Sequence, residues 1–188
     1  VDEELLDLMK LAGFNEMDIG AESTCDSILE SLAKDFKRED IINTANLLKK
    51  KKIPVTWFIM LGALAETRET VLETMNTIGR VASKWDLVFV STGVRVYNGA
   101  PVADEIMSYD TNCTSDSFLR PLKIQPQRIC LEDIHEISKR FSFRFPNFYF
   151  YQKENITPGW ILVFGNLLLR VFHSRLPVWR LLIFLKRI

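Results

Sequence analysis

The chain has 188 residues, and 24 Lys plus Arg balance 24 Asp plus Glu. A zero net charge gives no bulk attraction to nucleic acid or to an anionic membrane, so no nucleic acid is expected among its partners. Cys25, Cys113 and Cys130 are too few and too far apart for a metal motif or a disulfide framework, and they read as idle thiols in a reducing cytoplasm. No signal peptide opens the chain and Val1 is not Met, so it is expected to be part of a longer protein.

Asp2 to Ala12 predicts a helix with Leu5, Leu6, Leu8, Met9 and Ala12 on its apolar side. Asp2, Glu3 and Glu4 suit the positive end of its dipole, and Gly13 suits its exit. Met17 to Ala21 predicts a short strand, left by Glu22-Ser23-Thr24, and Cys25 to Ala33 a short helix. Arg38 to Lys51 predicts a longer helix with Ile41, Ile42, Ala45 and Leu48 on one stripe. Its closing run Lys49 to Lys52 reads as a solvated helix end rather than a binding patch.

Val55 to Leu61 is an apolar run of β-branched and aromatic residues interrupted only by Thr56 and bounded by Pro54 and Gly62. It predicts a strand buried on both faces, as in parallel sheets covered by helices. Thr67 stands where the next helix needs an N-cap, and Val71, Leu72, Met75, Ile78 and Ala82 carry that helix to Ser83. Leu87 to Val90 predicts a third strand, continuing toward Val94-Arg95-Val96. Strand and helix alternate, which predicts an α/β fold with a parallel sheet. Three strands are too few for a closed barrel, so the others are expected from upstream sequence or a partner.

Beyond a short helix at Val102 to Met107 the character changes. Ser108 to Ser117 reads as a linker, Phe118 to Pro126 as extended chain and Leu131 to Phe141 as a helix. Phe141 to Tyr151 is crowded with aromatics, and Trp160 to Phe172 and Leu176 to Ile188 read as apolar helices. Polar residues interrupt the last two, so neither spans a bilayer. Arg170, Arg175, Arg180, Lys186 and Arg187 give them a cationic edge suited either to peripheral membrane contact or to packing against the rest of the protein. The chain divides into 1–110, an α/β unit; 111–157, a linker and aromatic-rich extension; and 158–188, the apolar basic tail.

Parallel sheets place their chemistry at the carboxyl ends of the strands. Glu22 and Ser23 leave the first strand there and can hydrogen-bond a ribose or an amino group, while Ser23 or Thr24 can equally cap the next helix. Gly62 permits close backbone approach to a ligand or simply serves the turn. Thr67 reads as a cap and Glu66 as a solvated first-turn carboxylate. Arg95 needs a partner, either a ligand or Glu22, unless it is exposed at the strand's end. Lys34 can reach an anionic group or remain solvated. His135 and His173 have no ligand-spaced neighbours, and no metal site is expected on them.

Three motifs in order resemble the second half of a radical S-adenosylmethionine domain, closest to the type fused to a cobalamin-binding domain. They are Ile19-Gly20-Ala21-Glu22-Ser23, with Ala12-Gly13-Phe14 before it and Leu29 to Lys34 after it; Gly62 with Glu66-Thr67; and Val94-Arg95-Val96-Tyr97-Asn98-Gly99-Ala100-Pro101-Val102. Leu64, Ala65, Asn98 and Ala100 stand where the family has Pro, Gly, Pro and Thr.

The resemblance implies a partial (β/α) barrel fragment of three parallel strands with covering helices and a helical tail. It implies S-adenosylmethionine, a 4Fe-4S cluster and a small-molecule substrate, with cobalamin as an option. Glu22 and Ser23 would face the cofactor's ribose or methionyl end, Lys34 its carboxylate, and the backbone of Leu61 and Gly62 its adenine; Arg95 would line the cavity. The three-cysteine cluster loop is absent from this chain, and the missing amino-terminal half of the barrel is the partner implied. The alternative is a non-catalytic α/β module that docks through its tail.

Overall fold

In the computed structural model, residues 1–97, 103, 122–123 and 126–150 are described. The expected short helix after Pro101, the linker and the tail helices of 158–188 lie outside these residues, apart from Ala103 in a helical turn. The described elements are α1 (Glu3–Leu11), β1 (Met17–Glu22), α2 (Asp26–Ser31), α3 (Arg38–Lys51), β2 (Val55–Leu61), α4 (Arg68–Val81), β3 (Leu87–Thr92), β4 (Arg95–Val96), β5 (Leu122–Lys123), α5 (Leu131–Arg144) and β6 (Phe148–Phe150).

Local chemistry sets the helix starts. Asp2 accepts the Leu5 N–H at 2.8 Å, and Asp40 accepts the Lys37 N–H at 2.8 Å. Thr67 and Thr70 exchange hydrogen bonds at the head of α4. Each satisfies an amide that the first helical turn leaves without an internal partner.

A parallel four-stranded sheet runs β1-β2-β3-β6. Met17 pairs with Val55, Trp57 with Val88 and Val88 with Phe148. The expected alternation of strand and helix therefore holds, and the fold is an α/β layer of the partial-barrel kind. A fourth strand, β6, comes from within the chain. It lies in the aromatic stretch that reads as part of an extension, and it shares both sheet and core.

On one face Val55, Trp57, Ile59 and Leu61 of β2 join Val88 and Val90 of β3 in a core with Ile41, Ala45 and Leu48 of α3, Val71, Met75 and Ile78 of α4, and Ile134 and Ile137 of α5. The other face is more open. Phe58, Phe89 and Tyr149 stand side by side on it, with ring centroids 5.5 and 5.7 Å apart, and Phe58 remains 37% exposed. The expectation that β2 is buried on both faces is corrected accordingly, because the core helices cover one side of the sheet.

β3 also ends earlier than the apolar pattern implies. Gly93 adopts φ +80°, a conformation costly for other residues, and the chain leaves the sheet there. Arg95 and Val96 then pair antiparallel with Lys123 and Leu122 in a separate two-stranded ladder. Among the described residues no helix is long and apolar enough to cross a membrane.

Candidate functional site

The carboxyl ends of β1 and β2 lie side by side because the strands are parallel neighbours. The ladder shifts register between Gly20 and Glu22, so that Gly20 pairs with Phe58 and Glu22 with Ile59. Within this bulge Glu22 takes φ +59°, which a side chain disfavours. Its carboxylate folds back over Gly20: a Cβ built there would lie 3.1 Å from Glu22 Oε1. Lys34 Nζ donates to the same oxygen at 3.4 Å, and both side chains stay partly exposed, at 30% for Lys34 and 24% for Glu22. A base and an acid thus stand together on the strand-end rim.

Ser23 and Thr24 turn away from this rim and are fully buried. The Ser23 hydroxyl pairs with Thr74 Oγ1 at 2.8 Å and accepts the Cys25 N–H at 3.1 Å. Thr24 donates to the Thr74 carbonyl, and Arg38 Nε donates to the Thr24 carbonyl at 2.9 Å. Glu73 pairs with Arg38 and accepts from the Cys25 thiol at 3.2 Å. The loop after β1 is therefore latched to α4 and α3, and neither hydroxyl caps α2, whose N-cap residue is Cys25 with no side-chain cap hydrogen bond.

At the end of β2, Gly62 adopts φ +100° and is buried. A Cβ there would meet the Gly93 N at 3.2 Å and Leu131 Cδ2 at 3.5 Å. Glu66 is the residue that sequence reasoning misplaced: it is fully buried, not solvated. One carboxylate oxygen accepts the Gly62 N–H at 3.1 Å, and the other accepts the Thr70 hydroxyl at 2.8 Å. Burial pushes its carboxyl above the usual range, against the opposing pull of Thr70 and the Gly62 and Ala63 amides. Its spacing was the available signal, since a carboxylate four residues past a strand-end glycine can reach back to that glycine's amide.

Leu61 is buried, and its carbonyl accepts the Gly93 N–H at 2.8 Å. Arg95 lies past the carboxyl end of β3 and is exposed, which is the strand-end alternative left open by its sequence. The structure thus brings Glu22, Lys34, Leu61 and Gly62 to the ends of two adjacent strands and sets Arg95 on the small ladder. His135, isolated in sequence, bonds Thr92 Oγ1 through Nε2 at 2.9 Å and packs edge-on to Phe150.

The described residues do not fit an iron–sulfur cluster. Among the described residues no group of three His, Cys, Asp or Glu side chains could hold a metal. Cys25 is buried and hydrogen-bonded to Ser27 and Glu73, and Cys130 caps α5 through the Asp133 N–H.

Residues 1–78 match the family model of the radical SAM superfamily. No curated protein sequence matches the chain. Among solved structures it is similar to TsrM, a radical S-adenosylmethionine methyltransferase from Kitasatospora setae with cobalamin and a 4Fe-4S cluster bound. That likeness has 21% identity and a TM-score of 0.53, over 71% of this chain and 27% of that one. A second TsrM structure, with tryptophan substrate and the analogue aza-SAM, matches at 21% identity and TM-score 0.53 over 72% and 27% of the two chains. The archaeal Elp3 of Methanocaldococcus infernus, with an N-terminal deletion, matches at 18% identity and TM-score 0.58 over 84% and 34%. The chain therefore spans about a quarter to a third of the solved chains it matches. The family match over 1–78 contains β1, β2 and both of their carboxyl ends, and the fold agrees with that of a radical SAM domain over this segment.

Proposed function

We propose that the chain is the second half of the barrel of a radical SAM enzyme and supplies one wall of its S-adenosylmethionine site. The observation that carries this is the Glu22–Lys34 pair on the bulged end of β1, inside the segment matched by the family model. An amino-acid head group carries an ammonium and a carboxylate, and a paired acid and base offer both complementary charges. Glu22 takes the ammonium or the ribose hydroxyls, and Lys34 takes the carboxylate. Ser23 acts through its backbone while its hydroxyl holds the loop on Thr74.

The adenine edge lies against the backbone of Leu61 and Gly62 at the carboxyl end of β2. Glu66 keeps that backbone in place through the Gly62 amide. Arg95 reaches the cavity from the ladder beyond β3 and pairs with an anionic substrate group. When bound, the cofactor supplies one-electron chemistry, or a methyl group where cobalamin carries it. The TsrM structures, with cobalamin and with a SAM analogue, favour including that second option. The cluster ligands belong to the other half of the barrel, which also covers the free edge of β1.

Iron and sulfide reconstitution tests this reading. The chain by itself is expected to develop no cluster absorbance, and joined to its amino-terminal half it is expected to do so. In the joined protein, Glu22→Gln and Lys34→Met should each weaken S-adenosylmethionine binding by about tenfold, the loss of one charge-assisted contact. A cluster formed on this chain alone, or unchanged binding in both variants, overturns the assignment.

A further inference from the structure

Glu22 holds a backbone conformation that a glutamate does not favour. It takes φ +59°, and the Ser23 N–H closes back on the Ala21 carbonyl at 2.7 Å. Glu22 is therefore the centre of a three-residue turn of the strained, positive-φ hand. Such a residue stays in place only where its surroundings over-determine it. Ala33, which precedes Lys34, is left-handed as well, at φ +52°. The Ala33 N–H closes on the Glu30 carbonyl at 2.9 Å and the Lys34 N–H on the Leu29 carbonyl at 3.0 Å, a helix ending in which the left-handed position is usually glycine. Among the described residues three non-glycine positions have positive φ, and two of them, Glu22 and Ala33, set the acid–base pair on the rim.

The grip on Glu22 comes from α4. Thr74 is fully buried, and its Oγ1 meets Ser23 Oγ at 2.8 Å and accepts the Thr24 N–H at 3.4 Å. The Thr74 carbonyl accepts the Thr24 hydroxyl at 3.3 Å. Both residues after Glu22 are thereby fixed to one point on the helix. Ser23, Thr24 and Thr74 are all shut away from water, where a lost hydrogen bond is not replaced. Thr70, one turn earlier in α4, serves the end of β2 in the same way. It donates to one oxygen of Glu66 at 2.8 Å, and the other oxygen holds the Gly62 amide. Positions four apart share a helix face, so one face of α4 grips both strand-end loops.

We propose that Thr74 is a positioning residue for the cofactor: through Ser23 and Thr24 it holds Glu22 in its left-handed turn, with the carboxylate beside Lys34 and open to the charged end of S-adenosylmethionine. Thr74 is fully buried and touches no ligand itself. The role rests on the reading of Glu22 and Lys34 as cofactor contacts, and it adds the element that sets their geometry. Without the Thr74 hydroxyl the turn relaxes and the carboxylate leaves Lys34.

A double-mutant cycle tests this, read by titration calorimetry with S-adenosylmethionine on the protein joined to its amino-terminal half. Thr74→Val keeps the side-chain shape and removes the hydroxyl, and it should weaken binding by about three- to tenfold. Combined with Glu22→Gln it should weaken binding no further than Glu22→Gln alone, because both changes act through one carboxylate. Thr74→Ser should restore the affinity. Thr77→Val removes another buried hydroxyl from α4 and should leave the affinity unchanged. Ser23→Ala removes the other end of the Ser23–Thr74 contact and should match Thr74→Val, so it carries the test if Thr74→Val does not fold by circular dichroism. In ligand-free protein, the carboxylate carbon resonance of Glu22 should move toward that of a solvated glutamate in Thr74→Val and stay in place in Thr77→Val.

Unchanged affinity in Thr74→Val and Ser23→Ala, losses that add to that of Glu22→Gln, or an equal loss in Thr77→Val overturns the role of Thr74. Normal binding by Glu22→Gln defeats the cofactor reading of the pair, and this role with it. A loss in Glu22→Gln without one in Thr74→Val defeats this role alone.

Discussion

Glu66 shows how much one side chain settles at the rim. Its carboxylate holds the Gly62 amide and the Thr70 hydroxyl while fully buried. Glu66→Ala leaves a buried N–H without its acceptor, and urea denaturation should show a loss of about 1–3 kcal/mol. Glu66→Gln keeps an acceptor oxygen and should lose less.

The pH dependence follows from the direction of the shift. Burial raises the folded-state pKa of Glu66, so the folded protein holds this proton at a pH where the unfolded chain has released it. Its contribution to stability is therefore greatest below the ordinary glutamate value and declines as pH rises from there to the raised value. Glu66→Gln should flatten that part of the stability–pH curve. Gly62→Ala tests the same loop through its backbone. The left-handed φ and the nearby Gly93 N should cost about 1–2 kcal/mol, read by the same denaturation.

At the scale of elements, β3 is cut by a single conformation. Val94 and Val96 extend its apolar alternation, so the pattern points to one long strand continuing toward Val94-Arg95-Val96. Gly93 at φ +80° ends it and passes the chain to the small ladder. Gly93→Val should therefore destabilise the protein by about 2 kcal/mol, a β-branched residue being least tolerant of that φ. The α4–α5 contact depends on another glycine: a Cβ at Gly79 would lie 3.1 Å from Phe145 Cζ. Gly79→Leu should push the end of α5 outward and cost about 1–3 kcal/mol, with Phe145 ring shifts in NMR spectra as a second readout.

The longer helices were legible from their periodic apolar faces, as α3 and α4 show, and α4 also from its Thr67 cap. The strand β6 was not. Phe148, Tyr149 and Phe150 are three aromatics in a stretch full of them, and so short a run has no measurable period. Only the neighbouring β3 selects those three, through the pairing of Val88 with Phe148 and Val90 with Phe150.

Among the described residues, the order β1-β2-β3-β6 leaves β1 at an edge of the sheet, and α1 packs on α3. Leu5, Leu8 and Leu11 of α1 are 46%, 56% and 86% exposed, and Phe14 is 54% exposed. An exposed apolar stripe and a strand edge are both adhesive surfaces. The chain should self-associate as concentration rises in sedimentation velocity. Leu8→Glu with Leu11→Glu should suppress that association and change stability by no more than about 0.5 kcal/mol, as expected of exposed positions.

The sequence by itself determined the α/β class, the main helices with the Thr67 cap, the three parallel strands and the resemblance to a radical SAM domain. These depend on local propensity, on periodicity and on residues close together in the chain. Tertiary structure alone decided that Glu66 is buried, that the Ser23 hydroxyl belongs to Thr74, that Arg95 leaves the main sheet and that Phe148 to Phe150 join it. Each of these depends on which distant backbone or side chain comes alongside, and no single-segment pattern encodes that neighbour.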